Sequence, residues 1–188
     1  MEIRRDDQTT SNGFVSQITE LENIIDPLHS LYSQVGWDFL CVDINGDIWE
    51  DIIVSLPFYN DGRGAVSQLI TTRQNNKFSK FISIRNLVGD NQDECLFGYS
   101  LALIGDLNQD GISDLAISAP FCSPKTGGGA VYIYLSRKHY GFSDPYFEKI
   151  IESKFRIPLY SFGMKIKSEF DVNFDNKYDL AISAPLSN

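Results

Sequence analysis

Apolar residues in this chain come in short runs, rich in β-branched side chains and broken by Gly, Asp and Asn. The clearest runs are IIVSLP (52–57), LAISAP (115–120) and LAISAP again (180–185). GRGAVSQLI (62–70) and GGGAVYIYL (127–135) each pass from a glycine-rich turn into a strand-like run, and KFISIRN (80–86) and FEKIIES (147–153) follow them. Runs of this length and composition, bounded by turn residues, predict β-strands. One period reads strand, acidic loop, strand, glycine turn, strand, turn, strand. A second landmark, Phe97-Gly98 and Phe162-Gly163, stands at a fixed distance ahead of two of the acidic loops, with Val35-Gly36 one residue closer in the first copy.

Four short strands per unit at regular spacing predict an all-β fold of repeated small sheets, a propeller blade or a close relative of one. The first residues fit the same template, because Gly13-Phe14-Val15-Ser16-Gln17-Ile18 echoes Gly64-Ala65-Val66-Ser67-Gln68-Leu69. The predicted organisation is a disordered lead over 1–12 and half a blade over 13–30. Whole blades follow over about 31–90 and 91–155, then half a blade over about 156–188.

The acidic loops are DINGDIWED (43–51), DLNQDGISD (106–114) and DVNFDNKYD (171–179), each with Asp at positions 1, 5 and 9 and Asn at position 3. In every copy a Pro (Pro57, Pro120, Pro185) stands fourteen residues after the first Asp. Alternating carboxylates and amides in a tight loop suit a hard cation such as Ca²⁺, which takes six to eight oxygens. The expected ligands of the second loop are Asp106, Asn108, Asp110, the backbone carbonyl of Ile112, and Asp114. Those of the third are Asp171, Asn173, Asp175, the carbonyl of Lys177, and Asp179. Those of the first are Asp43, Asn45, Asp47, the carbonyl of Trp49, and Asp51. Position 6 needs a left-handed backbone: Gly111 supplies it freely, Asn176 tolerates it, and Ile48 does not. Metal-free Asx turns are the plainer alternative for any single copy. An EF-hand would place a bidentate Glu at position 12; that position is Val54, Ile117 or Ile182, so the EF-hand reading fails.

Composition adds exclusions. The 188 residues are 43% hydrophobic, enough for a substantial core. A net charge of −9 without a basic cluster argues against nucleic acid. Three divalent cations would bring that charge to about −3. There is no apolar stretch long enough for a membrane span and no signal-type apolar segment, so direct membrane contact by this segment is not expected. His29 and His139 have no spacing that makes a catalytic site, Gly98-Tyr99-Ser100-Leu101-Ala102 lacks the second glycine of a nucleophile elbow, and no phosphate-binding loop occurs. An enzyme is not expected. Cys95 precedes the first strand of a blade and Cys122 follows its second, so a disulfide is feasible, with a reduced, separated pair as the alternative. Cys41 reads as a buried free thiol.

Phe97-Gly98, the DLNQDGISD loop and Leu115-Ala116-Ile117-Ser118-Ala119-Pro120 together resemble the FG-GAP repeat of the integrin α-subunit β-propeller. The resemblance extends over 13–188 and is weaker in the first copy. It implies about three blades of an expected seven, with calcium in the acidic loops. It also implies an integrin β subunit as partner on the opposite face, an extracellular matrix or cell-surface protein as ligand, and a place on the extracellular side of the plasma membrane. The implied role is adhesion by part of a glycoprotein receptor. By the same geometry Phe58, Tyr59, Asp61, Arg63, Phe121 and Lys125 sit on the partner-facing rim. The alternative within the repeat family is the propeller of a glycosylphosphatidylinositol-specific phospholipase D or another secreted FG-GAP binding protein. The absence of signal and span, with an ending in mid-blade, leads us to expect a partial product or fragment.

Overall fold

The computed structural model describes residues 33–75, 77–89, 94–122, 128–137, 141–152 and 161–185. The expected disordered lead, the half-blade 13–30, Lys125, His29 and His139 lie outside them. The first four strands are β1 (Phe39–Val42), β2 (Asp51–Leu56), β3 (Ala65–Gln74) and β4 (Lys77–Leu87), which form one antiparallel sheet in sequence order. A second sheet repeats that order with β5 (Leu101–Leu103), β6 (Leu115–Ala119), β7 (Ala130–Arg137) and β8 (Gly141–Glu152). Finally β9 (Ile166–Phe170) pairs with β10 (Asp179–Ile182). The molecule is thus all-β, built of small meandering sheets.

The sheets stack face to face. The first strands β1, β5 and β9 are neighbours in turn, and the fourth strands β4 and β8 meet on the other side. Stacking explains why β2 and β6 are buried on both faces and read as unbroken apolar runs, where a one-sided sheet would alternate. Leu40, Val42, Ile53, Val66 and Leu87 of the first sheet pack against Leu101, Leu115, Ile117, Tyr132 and Tyr134 of the second. The other face of the second sheet (Ala102, Ala116, Val131, Ile133) packs on Ile166, Leu180 and Ile182.

The recurrent motif residues are the fasteners. In each unit the Gly of the Phe-Gly pair, or of Val35-Gly36 in the first, donates its N–H to the carbonyl of the Ser in the apolar run. These bonds are Gly36 to Ser55 (3.0 Å), Gly98 to Ser118 (2.9 Å) and Gly163 to Ser183 (2.9 Å). The same serines accept the N–H of Asp38, Ser100 and Lys165 on Oγ at 2.8 Å each. The glycine turns join neighbouring units. A Cβ on Gly129 would lie 2.2 Å from the carbonyl oxygen of Phe162, and Gly64 stands just as close to Phe97. Buried Gln68 adds a two-point bridge: its Nε2 donates to the carbonyl of Phe142 (2.7 Å) and its Oε1 accepts the Phe142 N–H (2.9 Å).

Cys95 and Cys122 are both buried and form a disulfide across the start of the second unit, with Cα atoms 4.3 Å apart. Cys41 corrects one expectation: it is a free thiol, but exposed. It lies opposite Ile52 on β1, on the face turned away from the second sheet, and only Leu40 and Val42 of that strand reach the inter-sheet core.

Candidate metal centres

The acidic loops join β1 to β2, β5 to β6 and β9 to β10, all at one end of the stack. Their backbones follow the same course. The Asp at position 1 accepts the N–H groups of positions 5 and 6: Asp106 from Asp110 (3.0 Å) and Gly111 (2.8 Å), Asp171 from Asp175 (3.1 Å) and Asn176 (2.8 Å), Asp43 from Asp47 (3.1 Å) and Ile48 (2.7 Å). The Asn at position 3 accepts the position-5 N–H as well, at 2.9 Å in Asn45, 3.1 Å in Asn108 and 3.0 Å in Asn173. The Asp at position 5 accepts the N–H of position 7, from Trp49, Ile112 and Lys177. Position 6 is left-handed in every copy: φ is 71° at Ile48, 90° at Gly111 and 63° at Asn176. Ile48 adopts the turn despite its branched Cβ.

The ninth residue closes each loop. Asp51 accepts the N–H of Ile44 (3.2 Å) and of Thr71 (2.7 Å), and Asp114 those of Leu107 (2.6 Å) and Ser136 (2.7 Å). Asp179 accepts the N–H of Val172 at 2.7 Å. Asp51 and Asp114 are fully buried. Burial pushes Asp51 up to about 6, partly countered by the N–H groups of Thr71 and Ile44 and reinforced by the charges of Asp47 and Asp43. Burial raises Asp114 as well; the Ser136 and Leu107 N–H groups oppose the rise and Asp106 adds to it.

As placed, no group of three or more His, Cys, Asp or Glu side chains among the described residues forms a ready metal cage, since the carboxylates are turned onto backbone N–H groups. The donor set still fits a hard cation. It is all oxygen, and a carboxylate oxygen that accepts one N–H keeps a further lone pair. In the second loop three donors converge: Ser136 Oγ lies 3.1 Å from Asp110 Oδ1, 3.2 Å from the Ile112 carbonyl and 3.1 Å from Asp114 Oδ1. Asn108 is drawn to the same place, with Nδ2 donating to the Ser136 carbonyl at 2.8 Å. Ser136 stands on β7, and no spacing in the acidic loop itself points to it. Over the first loop Arg73 stacks on Trp49, its guanidinium carbon 3.5 Å from the ring centroid.

At the opposite end, Phe58 follows β2 and meets Trp37, which in turn meets Tyr99; neither of these two was singled out from sequence. Trp37 packs edge-on to Phe58 at 5.8 Å and against Tyr99 at 5.2 Å, and its Nε1 donates to the Tyr99 carbonyl at 3.0 Å. Trp37 and Tyr99 each follow the Gly of the Phe-Gly pair or its equivalent, so their shared repeat position was the available signal. Beside them Asp38 Oδ2 accepts from Leu101 N (3.0 Å) and Ser100 Oγ (3.3 Å), and pairs with Lys165 Nζ (3.2 Å), tying three units together. Tyr59 leans into the first sheet's outer core, Asp61 sits in a left-handed turn beside Arg63, and Phe121 is exposed.

Repeated four-stranded sheets fastened by Phe-Gly and Ser-x-Pro segments, with an acidic loop after each first strand, define an FG-GAP propeller segment. Residues 97–134 match the FG-GAP repeat family model. The chain is 30% identical to integrin alpha-6 of Gallus gallus over 154 residues, 82% of this chain and 14% of that protein. It is 34% identical to integrin alpha-3 of Cricetulus griseus over 145 residues (76% and 13%). With integrin alpha-PS5 of Drosophila melanogaster it shares 32% over 158 residues (80% and 15%). Over 76–82% of its own length the chain is thus similar to integrin α subunits, as a segment spanning 13–15% of the length of these relatives.

Proposed function

We propose that the chain is part of a calcium-stabilised integrin α-like propeller that acts in adhesion without catalysis. Loops 43–51, 106–114 and 171–179 each hold one Ca²⁺ through the side chains at positions 1, 3, 5 and 9 and the carbonyl at position 7. The observation that carries this reading is the convergence of Asp110, the Ile112 carbonyl and Asp114 on one point at Ser136 Oγ. Bound calcium supplies positive charge that offsets the burial raising Asp51 and Asp114 and the lesser repulsion from their neighbouring carboxylates. Extracellular modules bind calcium at about 10⁻⁴–10⁻³ M. At about 1 mM calcium each site then adds roughly 0.4–1.4 kcal/mol to the folded state. The role is structural.

In this reading blades 31–90 and 91–155, with the partial blades beside them, present the end opposite the calcium loops to an integrin β subunit and to extracellular protein ligands. The Trp37–Phe58–Tyr99 cluster supports that surface, since aromatic side chains dominate binding hot spots. The buried Cys95–Cys122 disulfide suits an oxidising, extracellular setting.

Calcium titration of the melting temperature tests the metal reading. The wild-type chain is expected to gain several degrees between chelator and about 2 mM calcium, and Asp114→Ala to lose much of that gain. Identical melting with and without calcium in both forms would reduce the loops to simple turns. For the partner, surface binding of a recombinant β-subunit head is expected to weaken at least tenfold in Trp37→Ala; equal binding would move the interface elsewhere.

A further inference from the structure

Tyr178, the eighth residue of the third loop, does not belong to its own blade alone. It packs on Gly105, the residue just ahead of the second loop: a Cβ built on Gly105 would lie 3.3 Å from Tyr178 Cδ2 and 3.9 Å from its Cβ. Gly105 has φ +78°, so a side chain there would be strained and would press on the Tyr178 ring. Its carbonyl accepts the N–H of Asp114 at 2.7 Å, and the Asp114 carbonyl accepts the N–H of Ile104 at 2.9 Å. Residues 104 and 105 therefore fix the backbone of the residue that closes the second loop. On the other side Tyr178 directly precedes Asp179, which closes the third loop through the Val172 N–H and whose carbonyl accepts Ser168 Oγ at 2.8 Å. The ring spans the cleft between the loops, which Leu107, Gln109, Asn176 and Lys177 also line.

The first pair of loops lacks this contact. Position eight of the second loop is Ser113, too short to cross, and the residue ahead of the first loop is Val42, which is committed to the inter-sheet core.

We propose that loops 106–114 and 171–179 bind their cations cooperatively through the Tyr178–Gly105 contact, whereas loop 43–51 fills independently. The proposal rests on the calcium reading above. A cation that orders either closing Asp fixes one side of the contact, so the neighbouring loop has less freedom left to lose when it binds. The coupling must be reciprocal.

Calorimetric calcium titration of the full 188-residue chain tests this in an Asp43→Ala background, which removes the first site. Adding Asp171→Asn, isosteric and outside the second loop, is expected to weaken binding at 106–114 about fivefold or more. With Tyr178→Ala in place the same substitution is expected to change nothing, and Tyr178→Phe, which keeps the ring, is expected to restore the effect. Equal affinity at 106–114 whether or not the third loop is intact would overturn the coupling while leaving calcium binding in place. No calcium heat in any form would overturn the metal reading and the coupling together. Near-ultraviolet circular dichroism at saturating calcium checks that every variant is folded.

Discussion

Position 6 of the acidic loop shows how one residue is forced by its neighbours. Gly111, Asn176 and Ile48 share a left-handed backbone, and for a β-branched residue that conformation costs about 1–2 kcal/mol. Ile48 stays there because the Asp43 carboxylate accepts the N–H groups of Gly46, Asp47 and Ile48 itself. Its side chain is 83% exposed, so little packing offsets the strain. Ile48→Gly is therefore expected to stabilise the calcium-free chain by about 1 kcal/mol, less what glycine loses in the unfolded state, read as a higher urea midpoint. Asp51 belongs to the same scale. Its folded pKa of about 6 exceeds the ordinary 3.8, so the folded state binds that proton more tightly. The stability this brings is fully present below about 3.8 and is lost as pH rises through about 6. Chelated protein is expected to melt higher at pH 5 than at pH 7.5, and Asp51→Asn to flatten that dependence.

At the level of elements, the motifs turn out to be joints. The Ser of each apolar run takes two hydrogen bonds from the segment that opens the same blade, and each glycine turn seats the Phe-Gly segment of the next. Gly129 makes the strictest demand, because a methyl group there meets the Phe162 and Pro120 carbonyl oxygens at 2.2 and 2.8 Å. Gly129→Ala is expected to cost about 3 kcal/mol in denaturant unfolding. Gly111→Ala meets nothing within 4 Å and should cost about 1 kcal/mol, the strain of the turn alone. The strands and loops were legible from runs and spacings, since those depend on neighbours in sequence. The joints were not: Gly64 touches Phe97 and Gln68 holds Phe142 across separate sheets, and Ser136 reaches Asp110 from a later strand of the same sheet, contacts between residues far apart in sequence.

Across the whole molecule the same hexapeptide shows where sequence stops. Leu115-Ala116-Ile117-Ser118-Ala119-Pro120 and Leu180-Ala181-Ile182-Ser183-Ala184-Pro185 are identical, and both begin as strands after an acidic loop. The first copy is buried on both faces, whereas the second is only partly covered. The sequence by itself determined the repeat, the strand order within a blade, the placing of Asp and Asn along each loop and the exclusion of an EF-hand. All of these are properties of local spacing and backbone preference. Only the tertiary structure decided that Cys41 is exposed, that Cys95 and Cys122 are joined, and that Trp37, Phe58 and Tyr99 share one rim. It also placed Tyr178 between two loops. Those depend on contacts between residues far apart in sequence, within a sheet or between sheets, and identical local sequences can meet different neighbours.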